Sequence, residues 1–269
     1  MKDINFLKEN NVDVNKSLEL FGDIETYNDT LVEFKNGIDG KLDQIEKYYN
    51  DMDMANYAIY VHSLKSDCKY FGFMKLASIA YEHEMKSKAN DFNYVKENYN
   101  DLITEAQKVK GIVNDYLSNE EDTNNLYNNM NSEPTETLDE KTDEDIILVA
   151  DDSEVIRIFV KKVFDEDYEL EFAKDGQEAL NIIREHEEDG RIKAILLDLN
   201  MPKVDGFAVL DYMTQANLLS KMPVTIISGD SSKEAISKAF EYNIVDMINK
   251  PFNESKIKEA VLKTIEQSK

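Results

Sequence analysis

Hydrophobic residues follow two different rhythms along this chain. Up to about Leu117 they recur at helical spacing, glycine is sparse and proline is absent, which predicts helix after helix. From Ile146 onward short apolar runs alternate with amphipathic stretches. The runs predict strands at 146–150, 169–173, 192–197, 224–228 and 245–249. The stretches between and after them predict helices at about 153–165, 176–187, 206–216, 232–242 and 254–267. Five βα units with short connections imply a parallel sheet covered by helices on both faces, joined by right-handed crossovers. Between the two rhythms the texture is polar and acidic, as in Ser118-Asn119-Glu120-Glu121-Asp122. Such a stretch cannot bury enough apolar surface to offset its ordering entropy, and is expected to be a disordered linker. The expected organisation is an all-α helical bundle at 1–117, a linker at 118–144 and an α/β domain at 145–269.

Composition narrows the function classes. The chain has 269 residues, enough for two cores, and no apolar stretch of membrane-spanning length. The N-terminal residues alternate charged and apolar groups without a signal-peptide core. One cysteine rules out an internal disulfide framework and any CxxC metal site. The net charge of −24, from 55 acidic and 31 basic residues, repels nucleic acid and anionic membranes. A cytoplasmic protein with no nucleic-acid or membrane partner and no DNA-binding output domain is expected.

The ends of the predicted strands carry the chemistry. The first ends in Asp151-Asp152, the third in Asp198, the fourth in Ser228 and the fifth leads into Lys250-Pro251. In an open α/β sheet those ends share one crevice, where ligands bind. Each residue alone has an ordinary reading: an Asp after a strand is usually a helix cap or turn residue, a lone Ser a turn, a lone Lys a solvated charge. All of them in order at strand ends point instead to phosphoryl chemistry on a carboxylate. Three clustered acids call for a hard divalent cation, and Mg²⁺ leaves room for water and phosphate oxygens. Asp198, before a loop, is the candidate nucleophile. Lys250 can neutralise a phosphoryl oxygen and Ser228 can donate a hydrogen bond to another. Asp205-Gly206 reads as a turn and helix start.

A second candidate lies in the helical part. At 100° per residue, Lys65, Ser66 and Lys69 fall on the same helical face as His62, while Leu64, Cys68 and Phe71 fall opposite. His62 is therefore expected to face solvent among ammonium groups that attract a phosphoryl group and favour the neutral imidazole. Cys68 is a core residue, His83 a partly buried structural histidine and His186 a solvated helix end.

Residues 145–269 resemble the receiver domain of two-component response regulators. The matching residues are Asp151-Asp152, Asp198, Asn200-Met201-Pro202, Asp205-Gly206, Ser228 and Lys250-Pro251. The resemblance implies a flavodoxin-like five-stranded sheet, an aspartyl-phosphate on Asp198, and a cis Lys250-Pro251 peptide. It also implies Mg²⁺ held by Asp152, Asp198 and the carbonyl of Asn200, with Asp151 reached through water. Met247 departs from the family, standing where a switch aromatic is usual. Residues 1–117 resemble a histidine phosphotransfer (HPt) domain through His62-Ser63-Leu64-Lys65-Ser66, then Gly72, Leu76, Ala80 and Glu84, and upstream through the Val12–Gly22 segment. That resemblance implies a helical bundle with a phosphorylatable His62 near mid-helix.

Together these features predict a phosphorelay protein exchanging phosphate between His62 and receiver aspartates, with a histidine kinase or other receiver and HPt proteins as partners. The linker would span roughly 25–30 Å, enough for His62 to reach Asp198 in the same chain. Two rivals are an acidic docking module with vestigial phosphorylation and a relative of chemotaxis-type histidine kinases. Nine glycines and no Gly-rich nucleotide motif argue against an ATP-dependent kinase; self-labelling with ATP alone separates the two.

Overall fold

The computed structural model describes residues 3–118, 145–165, 167–229 and 232–268. Apart from Ser118, the expected linker lies outside the described residues.

The helical half comprises α1 (Ile4–Glu9), α2 (Val14–Phe21), α3 (Ile24–Asn50), α4 (Met54–Tyr70), α5 (Met74–Lys88) and α6 (Phe92–Leu117). An aspartate starts five of these helices: Asp3, Asp13, Asp23, Asp53 and Asp91 each accept a hydrogen bond from a backbone N–H of the first turn. Each such cap contributes about 1 kcal/mol, so part of the acid excess is structural. The four long helices form a bundle in which α4 packs between α3 and α5, and α6 closes on both α5 and α3. The turn between α4 and α5 passes through Gly72 at φ +77°, whose carbonyl accepts from Asp13 N–H at 3.0 Å.

The α/β half runs β1 (Ile146–Ala150), α7 (Glu154–Phe164), β2 (Glu169–Ala173), α8 (Gly176–Glu185), β3 (Ile192–Asp198), α9 (Gly206–Gln215), β4 (Val224–Ser228), α10 (Lys233–Ala239), β5 (Asp246–Asn249) and α11 (Glu254–Glu266). The five strands are parallel in the order β2-β1-β3-β4-β5, the flavodoxin-like order. Every expected strand and helix is present, with ends shifted by no more than three residues. Strand side chains sort by parity: Ile147 and Val149 join the core under α7 and α11, whereas Ile146, Leu148 and Ala150 join the core under α8 and α9.

The two halves share one core. Phe159 of α7 packs edge-on against Phe21 at 5.7 Å and lies 6.4 Å from Tyr70, while Tyr70 meets Phe252 at 5.9 Å. The Tyr70 hydroxyl accepts a hydrogen bond from the Phe252 N–H at 3.1 Å. At the rim, Lys162 pairs with Asp29 at 2.8 Å. This docking corrects one expectation. The His62 face of α4 is not open to solvent, because the α/β half covers it: His62, Lys65 and Ser66 are all buried, and Lys69 is half-buried. Among the described residues no helix is long and apolar enough to cross a membrane.

Two glycines give a test of the bundle. Gly22 (φ +87°) has open space around it, whereas a Cβ at Gly72 would stand 2.5 Å from the Asp13 carbonyl oxygen. Gly22→Ala therefore carries backbone strain alone, about 1 kcal/mol or more. Gly72→Ala adds a backbone collision and is expected to lose about 1–3 kcal/mol beyond that. Urea denaturation followed by circular dichroism should rank the two in that order; equal midpoints would contradict the close approach.

Candidate functional site

Strand register assembles the acid pocket. Ala150 pairs with Leu197, so Asp151 lies beside Asp198; Ser228 pairs with Asn249, so Lys250 follows at the same edge. The Lys250 N–H donates to the Ser228 carbonyl at 2.8 Å. The Lys250–Pro251 peptide is cis. Lys250 Nζ lies 2.6 Å from Asp151 Oδ2 and 2.6 Å from Asp198 Oδ2. Asp151 and Asp198 are fully buried, and Asp152 is half-buried at the pocket mouth. Backbone N–H groups hold the remaining oxygens: Ser153 donates to Asp151 Oδ1 at 3.0 Å and Asn200 to Asp198 Oδ1 at 3.1 Å. Gly206 is required at its position, because a Cβ there would stand 2.2 Å from the Asp198 carbonyl oxygen. Asp205 caps α9, as expected.

The electrostatics follow from crowding. Burial raises the Asp151 carboxyl, Lys250 pulls it back, and the neighbouring acids raise it again, leaving it well above the usual carboxylate range. Asp152 is raised mainly by burial. Burial also pushes Asp198 upward, but the Lys250 charge and hydrogen bond, with the Asn200 N–H, outweigh it and hold Asp198 below the usual carboxylate range. Lys250 would lose its proton more easily on burial alone; the three carboxylates hold it charged. Carboxylate oxygens of Asp151, Asp152 and Asp198 lie within 4.8 Å of one another, an all-oxygen donor set of the kind a hard cation takes.

His62 faces this pocket from α4. Its Nδ1 lies 2.7 Å from Glu84 Oε1 and 3.2 Å from Lys65 Nζ; the shorter contact, to a carboxylate that only accepts, places the ring proton on Nδ1 and leaves Nε2 with its lone pair. Nε2 is buried and has no hydrogen-bond partner. Glu84 also accepts from Lys65 at 2.5 Å and Lys88 at 2.7 Å. Burial raises the Glu84 carboxyl, but the His62 hydrogen bond and the two ammonium groups hold it far below the usual range. Lys65 is thus turned toward Glu84. Lys69 loses its proton more easily than usual, through burial and then the Lys65 charge.

Sequence reasoning missed the bridge between the halves. Lys41 of α3 donates to Ser63 Oγ at 2.8 Å and pairs with Asp67. Asp67 accepts from Ser153 Oγ at 2.6 Å, and Ser63 hydrogen-bonds Asp152. A cavity of about 550 Å³ opens beside it, lined by Lys41, Tyr60, Asp67, Asp152, Arg157 and Lys203 among others. Glu84 matches the HPt pattern by position, and its spacing on α5 gives no sign that it reaches His62. His83 is fully buried against the Tyr57 hydroxyl at 2.7 Å, a structural role as expected but with no exposed part. His186 is not solvated: it is buried between Glu171 at 2.8 Å and Asp189 at 2.7 Å, because two acids close over the end of α8. Met247 is half-buried on β5.

Residues 147–262 match the family model of the response regulator receiver domain, and this part of the chain is such a domain. Receiver domains work in two-component signalling through phosphorylation of an aspartate. A probable methanogenesis regulatory protein, FilR2, from Methanothrix harundinacea is 29% identical over 127 residues, 45% of this chain and 82% of the relative. Response regulator RR06 of Streptococcus pneumoniae is 37% identical over 40% of this chain and 46% of its own length. Protein-glutamate methylesterase/protein-glutamine glutaminase 2 of Pseudomonas aeruginosa is 36% identical over 39% of this chain and 30% of its own length. The chain thus spans less than half the length of these last two relatives. Among solved structures, the receiver domain of the Francisella response regulator 1452 is 29% identical, with a TM-score of 0.41, covering 46% of this chain and 99% of that one.

Removing Glu84 leaves the buried Lys65 unpaired. Glu84→Ala is expected to lose about 3–5 kcal/mol. Because its folded-state carboxyl is depressed, Glu84 stabilises the fold above the unfolded carboxylate pKa, and that stability is lost as pH falls below about 4–5. Stability measured from pH 7 to 3 should therefore fall more steeply in the wild type than in Glu84→Gln.

Proposed function

We propose that this chain is a phosphorelay protein in which residues 1–117 act as an HPt domain, 118–144 as a linker and 145–269 as the receiver. The observation that carries the reading is the buried, unpartnered Nε2 of His62, turned toward the pocket that holds Asp198.

The reaction is reversible phosphoryl transfer. In one direction the Nε2 lone pair attacks the phosphorus of an aspartyl-phosphate on Asp198. The Nε2–P bond forms, the bond from phosphorus to the Asp198 oxygen breaks, and that oxygen leaves with the electron pair as carboxylate. The ring then carries positive charge, which the Glu84 carboxylate at Nδ1 offsets. Glu84 holds the tautomer, and Lys65 holds Glu84. On the receiver side Lys250 neutralises a phosphoryl oxygen and the Ser228 hydroxyl donates to another. The donor set of Asp151, Asp152 and Asp198, with the Asn200 carbonyl next to it, fits Mg²⁺, which when bound offsets phosphoryl charge. Ser66 and Lys69 border the docking face around His62. The reading gives no role to ATP, so phosphate enters from a histidine kinase or a small acyl phosphate.

Two experiments test it. Beryllofluoride with Mg²⁺ mimics the aspartyl-phosphate; Asp198→Asn is expected to abolish its binding, and undiminished binding would remove Asp198 from its assigned role. After loading with labelled phosphate, base-stable, acid-labile label marks phosphohistidine. It should vanish in His62→Gln; persistence there, or transfer to His83 or His186, would refute the HPt assignment.

A further inference from the structure

Gly229 is the position where the receiver meets the histidine. A Cβ built there would stand 2.9 Å from His62 Nε2, 3.0 Å from His62 Cε1 and 3.3 Å from Ser66 Oγ. All three nearest atoms belong to the helical half, and none to the receiver itself. The imidazole cannot swing away, because Glu84 anchors Nδ1 and the ring is buried. The absence of a side chain at 229 therefore serves the contact between the halves.

Resting on the phosphorelay reading above, we propose that the His62 face is a docking surface whose occupant is this chain's own receiver, and that Gly229 is the specificity-determining residue that admits the imidazole. The contact is built for this pairing. An aromatic centre, Phe21 and Tyr70 against Phe159 and Phe252, is continuous with the cores of both halves. Polar contacts accompany it, two of them buried, Asp67 with Ser153 and Tyr70 with the Phe252 N–H, and one at the exposed rim, Asp29 with Lys162. Charge also matches, since the Lys41 ammonium of the helical half lines the same cavity as Asp152 of the receiver. In this closed form His62 is 1% exposed and Asp198 0%. Internal transfer and exchange with an outside protein are then mutually exclusive, and a kinase or a second receiver reaches either group only after the halves part.

The test reads His62 accessibility in the full chain without phosphate, so it succeeds or fails independently of the relay chemistry. Diethyl pyrocarbonate is added and each histidine is followed by mass spectrometry. His83 and His186 are buried within their own halves and serve as references. In the wild type His62 should react as slowly as His83, and in Gly229→Leu at least tenfold faster with His83 unchanged. A wild-type His62 that reacts like a free imidazole would overturn the closed form. Should Gly229→Leu misfold, all three histidines accelerate together, and the rim pair takes its place. Asp29→Lys or Lys162→Asp alone should speed His62, and the double swap should restore protection; three equal rates would overturn the interface. Carbodiimide treatment of an equal mixture of unlabelled and ¹⁵N-labelled chains identifies the occupant. Asp29–Lys162 amides joining like-labelled peptides only are expected, whereas mixed-label amides would assign the docked receiver to a second copy.

Discussion

The buried ammonium of Lys250 is the interaction on which the pocket depends. Two carboxylates and one ammonium lie out of water with Nζ–O distances of 2.6 Å. Desolvating such charges costs several kcal/mol each, and only close pairing offsets it. The pairing requires β1, β3 and β5 to end at one level, which the parallel register supplies. It also leaves a deficit of positive charge, since three acids face one lysine. The docked helical half reduces that deficit with Lys41, so the two halves are electrostatic complements as well as neighbours.

The helical half solves the mirror problem. It buries a carboxylate, Glu84, among cationic and proton-donating groups rather than an ammonium among acids. The result is a fixed tautomer, with the proton on the far side of the ring from the pocket. A surface histidine would sample both tautomers; this one is oriented before any phosphate arrives. Orientation of that kind lowers the barrier by removing rotational freedom in advance.

Much of this was legible in the sequence, for identifiable reasons. Strands in a parallel sheet are buried on both faces and appear as unbroken apolar runs. Their ends are therefore sharp, and Asp151, Asp152, Asp198, Ser228 and Lys250 could be placed at one edge. Helical spacing also puts Lys65 on the His62 side of α4, where the two side chains meet at 3.2 Å. What failed was the inference from polar to exposed. A helical wheel identifies two faces and assumes that one is wet; α4 has both covered, the second by a domain more than 80 residues away in sequence. The partners that matter there pair Asp67 with Ser153 and Tyr70 with Phe252, and no local periodicity encodes them. His186 failed for a related reason: Glu171 reaches it from a neighbouring strand.

The composition of the contact decides how it can function. A purely apolar interface would hold the halves as one permanent domain, and a purely charged one would leave His62 hydrated. Here an aromatic centre is joined by buried hydrogen bonds and one exposed ion pair, Asp29 with Lys162. A phosphoryl group on Asp198 would add negative charge beside Lys250. On the proposed relay, a phosphoryl group on Nε2 would stand next to the side-chain space that Gly229 leaves empty. If the proposed transfer takes place, the same contact would have different energies before and after it, and that difference would couple the chemical state of the chain to whether its two halves stay together.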